Sequence, residues 1–181
     1  MAAILDAAER LLVTEGPEAL NTNRVAAEAG VGVGSVYEYF GNKEGIALEL
    51  IERLSAIETS TLQRRLAAVP CDDLDGAVDA AIEETFALYG RHYALYEALW
   101  SMTAVVRELG RRPAEQALLS EVERRLRRAG IAEPELVAFT VFHLVESLAL
   151  AFARAGRWDC VEGIEETVRV VRAYLNERKT R

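Results

Sequence analysis

The sequence predicts an all-α chain, with three short N-terminal helices followed by a larger helical bundle. Three observations predict it. Apolar residues recur at helical spacing along nearly the whole chain. Glycine and proline number only 12 and 4, and most of them punctuate the periodic stretches, where they act as stops. No stretch alternates apolar and polar residues for long enough to read as a strand.

The elements follow in order. Ile4, Leu5, Ala8, Leu11 and Leu12 make one face of a first helix, and Gly16-Pro17 stops it. Asn21 or Thr22 can cap a second, short helix that Gly30 ends. A third short helix fits between Val33 and Tyr39, and Gly41-Asn42 breaks it. A long helix runs from about Lys43 to Ala68, with Ala47, Leu50, Ile51, Leu54 and Ile57 as its stripe. At 1.5 Å per residue it spans roughly 35–40 Å. Residues 69–73 form a turn in which Asp72 or Asp73 caps the next helix. Leu74, Val78, Ile82, Phe86 and Tyr89 share a face there, Gly90 reads as an interruption, and an aromatic segment continues to Trp100. Gly110 and Pro113 mark a boundary. The helix from Pro113 to Ala129 buries Leu118, Val122 and Leu126, and Glu121–Arg125 and Glu123–Arg127 have the favourable i, i+4 order. A helix from Glu135 to Ala155 is apolar nearly all round. A last one to Glu177 repeats Val161, Ile164, Val168, Val171 and Leu175 at heptad spacing. The domain boundary falls near the start of the long helix, giving residues 1–46 and 47–181.

Composition narrows the function classes. A chain of 181 residues, 51% hydrophobic and 28% charged, buries a real core, so disordered and fibrous readings are excluded. Cys71 and Cys160 are too few for a disulfide framework and lack metal spacing, which fits a reduced, cytoplasmic setting. With two histidines, His92 and His143, no metal site and no cofactor is expected. No basic-then-apolar leader opens the sequence. The apolar run from Leu136 to Phe152, interrupted by His143 and Glu146, is short for a membrane span and reads as a buried helix. The net charge is −8, and in residues 1–50 three basic residues stand against eight acidic ones. That balance alone argues against a polyanionic partner.

Residues 21–45, NTNRVAAEAGVGVGSVYEYFGNKEG, point the other way. Two short helices around a glycine-containing turn make a helix-turn-helix. Val25, Ala26 and Ala29 are small enough for close helix approach, while Val31, Val36 and Phe40 fill the core. The second helix exposes Val33, Gly34, Ser35, Tyr37, Glu38 and Tyr39. The N-terminal residues of such a helix meet base edges in the major groove.

The run from Gly34 to Glu44, after a capped short helix and Ala29-Gly30-Val31, resembles the TetR/AcrR family of bacterial transcriptional repressors, over about a quarter of the chain. The resemblance implies a DNA-binding set of Thr22, Asn23, Val33, Gly34, Ser35, Tyr37, Tyr39 and Lys43. Thr22, Tyr37, Tyr39 and Lys43 match phosphate-contacting positions, Asn23 one that reaches a base or phosphate, and Val33, Gly34 and Ser35 groove-facing ones. Two departures are a weaker cap, with Gly32 where many members have Ser or Thr, and the lack of a basic arm before Ile4. With the acidic N-terminal segment these predict few phosphate neutralisations and a shallow salt dependence.

The same resemblance implies a C-terminal domain that binds a small-molecule effector and forms a homodimer. Independently, an all-round apolar helix beside a heptad seam suits a four-helix interface between two copies. Its candidates are Phe142, Val145, Ala149, Val161, Ile164, Val168, Val171 and Leu175. Aromatic residues around Gly90 (Phe86, Tyr89, Tyr93, Tyr96, Trp100) and Met102, with the polar stripe Thr140, His143 and Ser147, suit a pocket for an apolar or aromatic ligand. Plain core is the competing reading of those aromatics. Arg124, Arg125, Arg127 and Arg128 read as a solvated face paired with glutamates. The expected function is a dimeric repressor on a near-palindromic operator of double-stranded DNA, released or engaged by an effector, with no membrane partner and no catalysis. Two other classes compete: a dimeric small-molecule carrier that has lost DNA binding, and a helical enzyme using His143 with Glu146 as an acid/base pair.

Overall fold

The computed structural model describes residues 1–102 and 113–179, and eight α-helices and no strand occur among them. They are α1 Ala2–Glu15, α2 Thr22–Ala29, α3 Val33–Phe40, α4 Lys43–Ala67, α5 Leu74–Trp100, α6 Pro113–Arg128, α7 Pro134–Arg154 and α8 Val161–Glu177. Gly110 lies outside the described residues. The fold class is the expected one.

The chain divides into two compact units. One is Met1–Ala56 with Ala94–Arg112, described as far as Met102; the other is Ile57–Tyr93 with Pro113–Arg181, described to Lys179. Both α4 and α5 contribute residues to each unit.

In the first unit, Ile4, Leu5, Ala8, Leu11 and Leu12 are buried, as their spacing requires. Gly16 ends α1 at φ 84°, a backbone conformation open to glycine, and Pro17–Ala19 adds a single 3-10 turn. Val25, Val36, Ile46 and Ala47 are fully buried, so the core of this unit joins α2, α3 and the start of α4. Phe40, expected in the core, is only half-buried and packs beside Tyr39.

The second unit has its own core. Leu62, Leu66, Ala77 and Leu118 form one cluster, with Phe142 packed against it. Asp73 caps α5 by accepting from the Gly76 amide at 2.8 Å. Gly90 does not interrupt a helix: α5 runs unbroken from Leu74 to Trp100. A Cβ at Gly90 would lie 2.2 Å from the Trp158 indole, so the glycine is there because the ring lies against the helix backbone. Arg125 is not part of a solvated face. Its side chain is 5% exposed and its guanidinium donates to the carbonyls of Leu66 (2.7 Å), Val69 (3.3 Å) and Pro70 (3.1 Å) and to Glu121 (3.0 Å). Leu66 lies in the last turn of α4 and Val69 and Pro70 in the turn after it, so the guanidinium clamps the chain where it leaves the helix. Arg127 keeps the expected pair with Glu123, and Arg124, also exposed, pairs with Glu121.

The helix α7 is long and apolar enough to cross a membrane by length and composition, with a mean hydropathy of 2.0 over its most apolar window. Only 28% of that window is buried within the chain, so the reading of α7 as a buried helix holds for one side of it. Val137, Ala138, Val145, Ala149 and Ala153 face the core, while Leu136 and Phe139 are more than half exposed.

Candidate nucleic-acid interface and effector region

The helix pair α2–α3 is built from its ends inward. Asn21 has an extended backbone and its side-chain oxygen accepts from the Arg24 amide at 2.9 Å, which starts α2. Gly30 ends it in the left-handed conformation, φ 67°. The chain turns through Val31 and Gly32 and enters α3 with no side-chain cap. Val36 is fully buried and fixes the orientation of α3. At 100° per residue, Gly34 and Glu38 stand about 200° around the helix from Val36 and mark its outermost line.

Around that line, Val33, Tyr37 and Tyr39 are 40%, 54% and 58% exposed. Asn23 and Lys43 are also exposed, and Ser35 is half-buried. Thr22 is nearly buried, and its hydroxyl donates to the Tyr37 hydroxyl at 3.2 Å. The start of α2 and the middle of α3 therefore meet through two hydroxyls. An added Cβ at Gly34 meets nothing within 4 Å and the residue has no positive φ, so nothing inside the chain requires glycine there.

The electrostatics of this unit follow from its pairings. Arg10 bonds Glu28 at 3.1 Å, Arg53 bonds Asp6 at 2.6 Å, and Arg24 grips both oxygens of Glu15 at 2.7 and 2.8 Å. The Glu15 carboxylate holds the Arg24 guanidinium above its usual pKa. Within residues 1–56, Lys43 is the side-chain cation with no ion pair among the described residues.

The residues expected to line an effector pocket are distributed between the two compact units. Phe86, Tyr89 and Tyr93 belong to the second, and Tyr96, Trp100 and Met102 to the first. Phe86 and Tyr96 are fully buried, Tyr89 is 6% exposed, and Tyr93, Trp100 and Met102 are half-buried. Tyr96 stacks on Trp100, and Phe86 meets Phe152 at a tilt. Of the polar stripe, Thr140 returns its hydroxyl to the Leu136 carbonyl at 2.8 Å, Ser147 is exposed, and His143 lies 3.4 Å from Glu146. Tyr89 donates to the other Glu146 oxygen at 3.0 Å, tying α5 to α7. Among the described residues no cluster of His, Cys, Asp and Glu could hold a metal ion.

The expected dimer residues also separate. Val145, Ala149, Val171 and Leu175 are buried within the chain itself, because the C-terminal half of the heptad seam packs inward. Phe142, Ile164 and Val168 are half-buried and Val161 is 62% exposed, so these four keep accessible apolar surface. Sequence reasoning missed Leu136, Phe139 and Val170, which are exposed on the same two helices. It also missed Trp158. The isolated Gly90 inside a helical pattern was the available signal for a close approach.

Residues 4–50 match the family described as "Bacterial regulatory proteins, tetR family". The chain is 30% identical over 141 residues to the HTH-type transcriptional regulator BetI of Vibrio parahaemolyticus serotype O3:K6 (strain RIMD 2210633), covering 75% of this chain and 71% of that protein. It is 30% identical over 156 residues to the HTH-type transcriptional repressor DrrR1 of Streptomyces coeruleorubidus, covering 84% of this chain and 52% of that protein. The chain thus spans 71% of the first relative's length and about half of the second's. Among solved structures, a TetR-family transcriptional regulator from Streptomyces coelicolor superposes with a TM-score of 0.73 at 26% identity, over 98% of both chains. The FadR regulator of Bacillus subtilis in complex with stearoyl-CoA shares the fold at a TM-score of 0.71 and 14% identity, over 96% and 97% of the two chains. With a matched helix-turn-helix in α2–α3 and similarity across most of its length, the chain belongs to the TetR family and is a transcriptional regulator.

Proposed function

We propose that the chain is a homodimeric repressor that binds a near-palindromic operator through α2–α3 and changes its DNA affinity when a small apolar or aromatic effector binds the C-terminal part. The observation that carries the reading is the outward face of α3. Val33, Tyr37 and Tyr39 stay exposed and Gly34 faces open space, while Val36 anchors the helix from behind. Val33 suits a thymine methyl, Ser35 a base or phosphate, and Gly34 a close approach. Asn23, Lys43, Tyr39 and the Thr22–Tyr37 hydroxyl pair hold phosphates. Residues 1–46 form the DNA-binding domain and 47–181 the effector and dimer domain.

The dimer reading is supported by the uncovered apolar surface of α7 and α8. Leu136, Phe139, Val161 and Val170 lie 42–62% exposed, and a second copy covers them by an isologous helix pairing. Two relatives lend support to the rest. DrrR1 is named a repressor, and the FadR structure is a complex with stearoyl-CoA, which favours a small-molecule effector with an apolar part. A regulator of this kind works in the cytoplasm and needs no catalytic step.

A mobility shift with the DNA upstream of the protein's own coding sequence, at low and high salt, tests the reading. A shift is expected that Tyr37→Ala abolishes. Its salt dependence is shallow, because Arg10, Arg24 and Arg53 are already neutralised by carboxylates. Sedimentation of the free protein should give twice the chain mass. A dimer that shifts no DNA, from this region or from a random-duplex selection, would leave the carrier reading in its place.

A further inference from the structure

We propose that Glu38 is a base-reading residue whose carboxylate accepts a hydrogen bond from the N4 amino group of a cytosine in the operator's major groove. The inference rests on α3 being the recognition helix, as argued above, and adds a specificity to it. Glu38 is exposed on the outermost line of α3, one turn after Gly34. At Gly34 an added Cβ would meet nothing, so the line has no side chain where close approach is needed and a carboxylate just beyond it. Tyr37 and Tyr39 flank Glu38 and are themselves exposed.

Among the described residues Glu38 makes no hydrogen bond and no ion pair, so the fold gives it no internal task. No cation on α3 offsets it either, and the arginines of residues 1–56 are held by Glu28, Glu15 and Asp6. A lone carboxylate brought up to a polyanion is repelled unless it meets a donor. The major groove offers two, cytosine N4 and adenine N6. Adenine places its N7 acceptor beside the amino group, where it opposes the second carboxylate oxygen. Guanine N7 and O6 and thymine O4 are acceptors only. Cytosine is the base whose edge rewards Glu38, and the same charge disfavours every register in which no cytosine is presented. The residue therefore serves specificity through repulsion as well as attraction.

The test is a selection from a random-sequence duplex library with the full-length wild-type chain, Glu38→Gln and Glu38→Ala, followed by affinities for single-pair variants of the enriched site. The wild type should require a C·G pair within each half-site, and replacing it should cost about tenfold or more in affinity. Glu38→Gln should move the preference at that one pair toward A·T, since an amide can bond adenine N6 and N7 together. Glu38→Ala should lose the preference there alone and bind random duplex at least as tightly as the wild type. Equal helical circular dichroism for the three proteins excludes a folding effect. Variants that enrich the wild-type site unchanged, or whose affinity rises equally for all duplexes, overturn the assignment while leaving the repressor reading intact. A wild type that enriches no sequence refutes the repressor reading itself.

Discussion

Two helical glycines, Gly34 in α3, the second helix of the helix-turn-helix, and Gly90 in the long helix α5, occupy positions where alanine would serve the helix better. Around Gly90 the reason is inside the chain. The Trp158 indole lies where a Cβ would have to be, 2.2 Å from it. Around Gly34 there is no reason inside the chain, because the space beyond it is empty. The first region is explained by packing that the protein completes alone. The second makes sense once another surface approaches α3. The same division separates the arginines. Arg125 spends its guanidinium on three backbone carbonyls and a carboxylate of its own unit, whereas Arg24 lies exposed against Glu15.

The contrast is sharpest at Arg125. Arg125→Met removes a buried charge and leaves the Leu66, Val69 and Pro70 carbonyls without that donor. A stability loss of about 3–5 kcal/mol is expected, the range for breaking a buried charged network from one side. Arg125→Lys should recover part of it, since one ammonium reaches fewer of the same acceptors. Urea unfolding of the three proteins measures this. A loss below that of an ordinary surface substitution would mean that the end of α4 is held by other contacts.

Gly90→Ala should come next, at about 1–3 kcal/mol, because the added methyl collides with Trp158 and either the ring or the helix must shift. Trp158 is 39% exposed, so its fluorescence should move to longer wavelength as the ring is displaced. An unchanged spectrum with unchanged stability would show that the indole does not rest on α5 in solution.

How far these regions could be read from sequence depends on where their partners lie. Helix ends were readable because their signals are local. Gly16-Pro17, Asn21, Gly30 and Asp73 act within a few residues of themselves, and each terminates or caps a helix as expected. The helix-turn-helix was readable for the same reason, and its motif run also carried the family. Gly90 misled because the ring that requires it comes from a turn far along the chain, and an isolated glycine looks the same whether it breaks a helix or admits a neighbour. Arg125 misled because a helical i, i+4 pair with Glu121 looks solvated in sequence, while its other acceptors lie at the end of α4 and in the turn after it. Val171 and Leu175 fit a heptad seam as well as Val161 does, and periodicity alone cannot say which side of a helix meets its own core. Long-range contacts decided each of these, and sequence pattern registers only local ones.

Gly34→Ala has the smallest effect on the fold and the opposite sign. Nothing lies within 4 Å of the added methyl, and the helical backbone accepts it without strain. Alanine restricts the unfolded chain and favours the helix, so the protein should gain about 0.5–1 kcal/mol. If Gly34 is present for the approach of DNA, the same methyl should stand between α3 and the groove, and operator affinity should fall while stability rises. Thermal unfolding and a mobility shift on one preparation read both quantities. A stabler protein that binds DNA less well places the reason for Gly34 outside the chain, in contrast to Gly90→Ala, which should be less stable because its reason lies inside. A stabler protein with unchanged DNA affinity would remove Gly34 from the interface and move the line of closest approach toward Val33 and Tyr37.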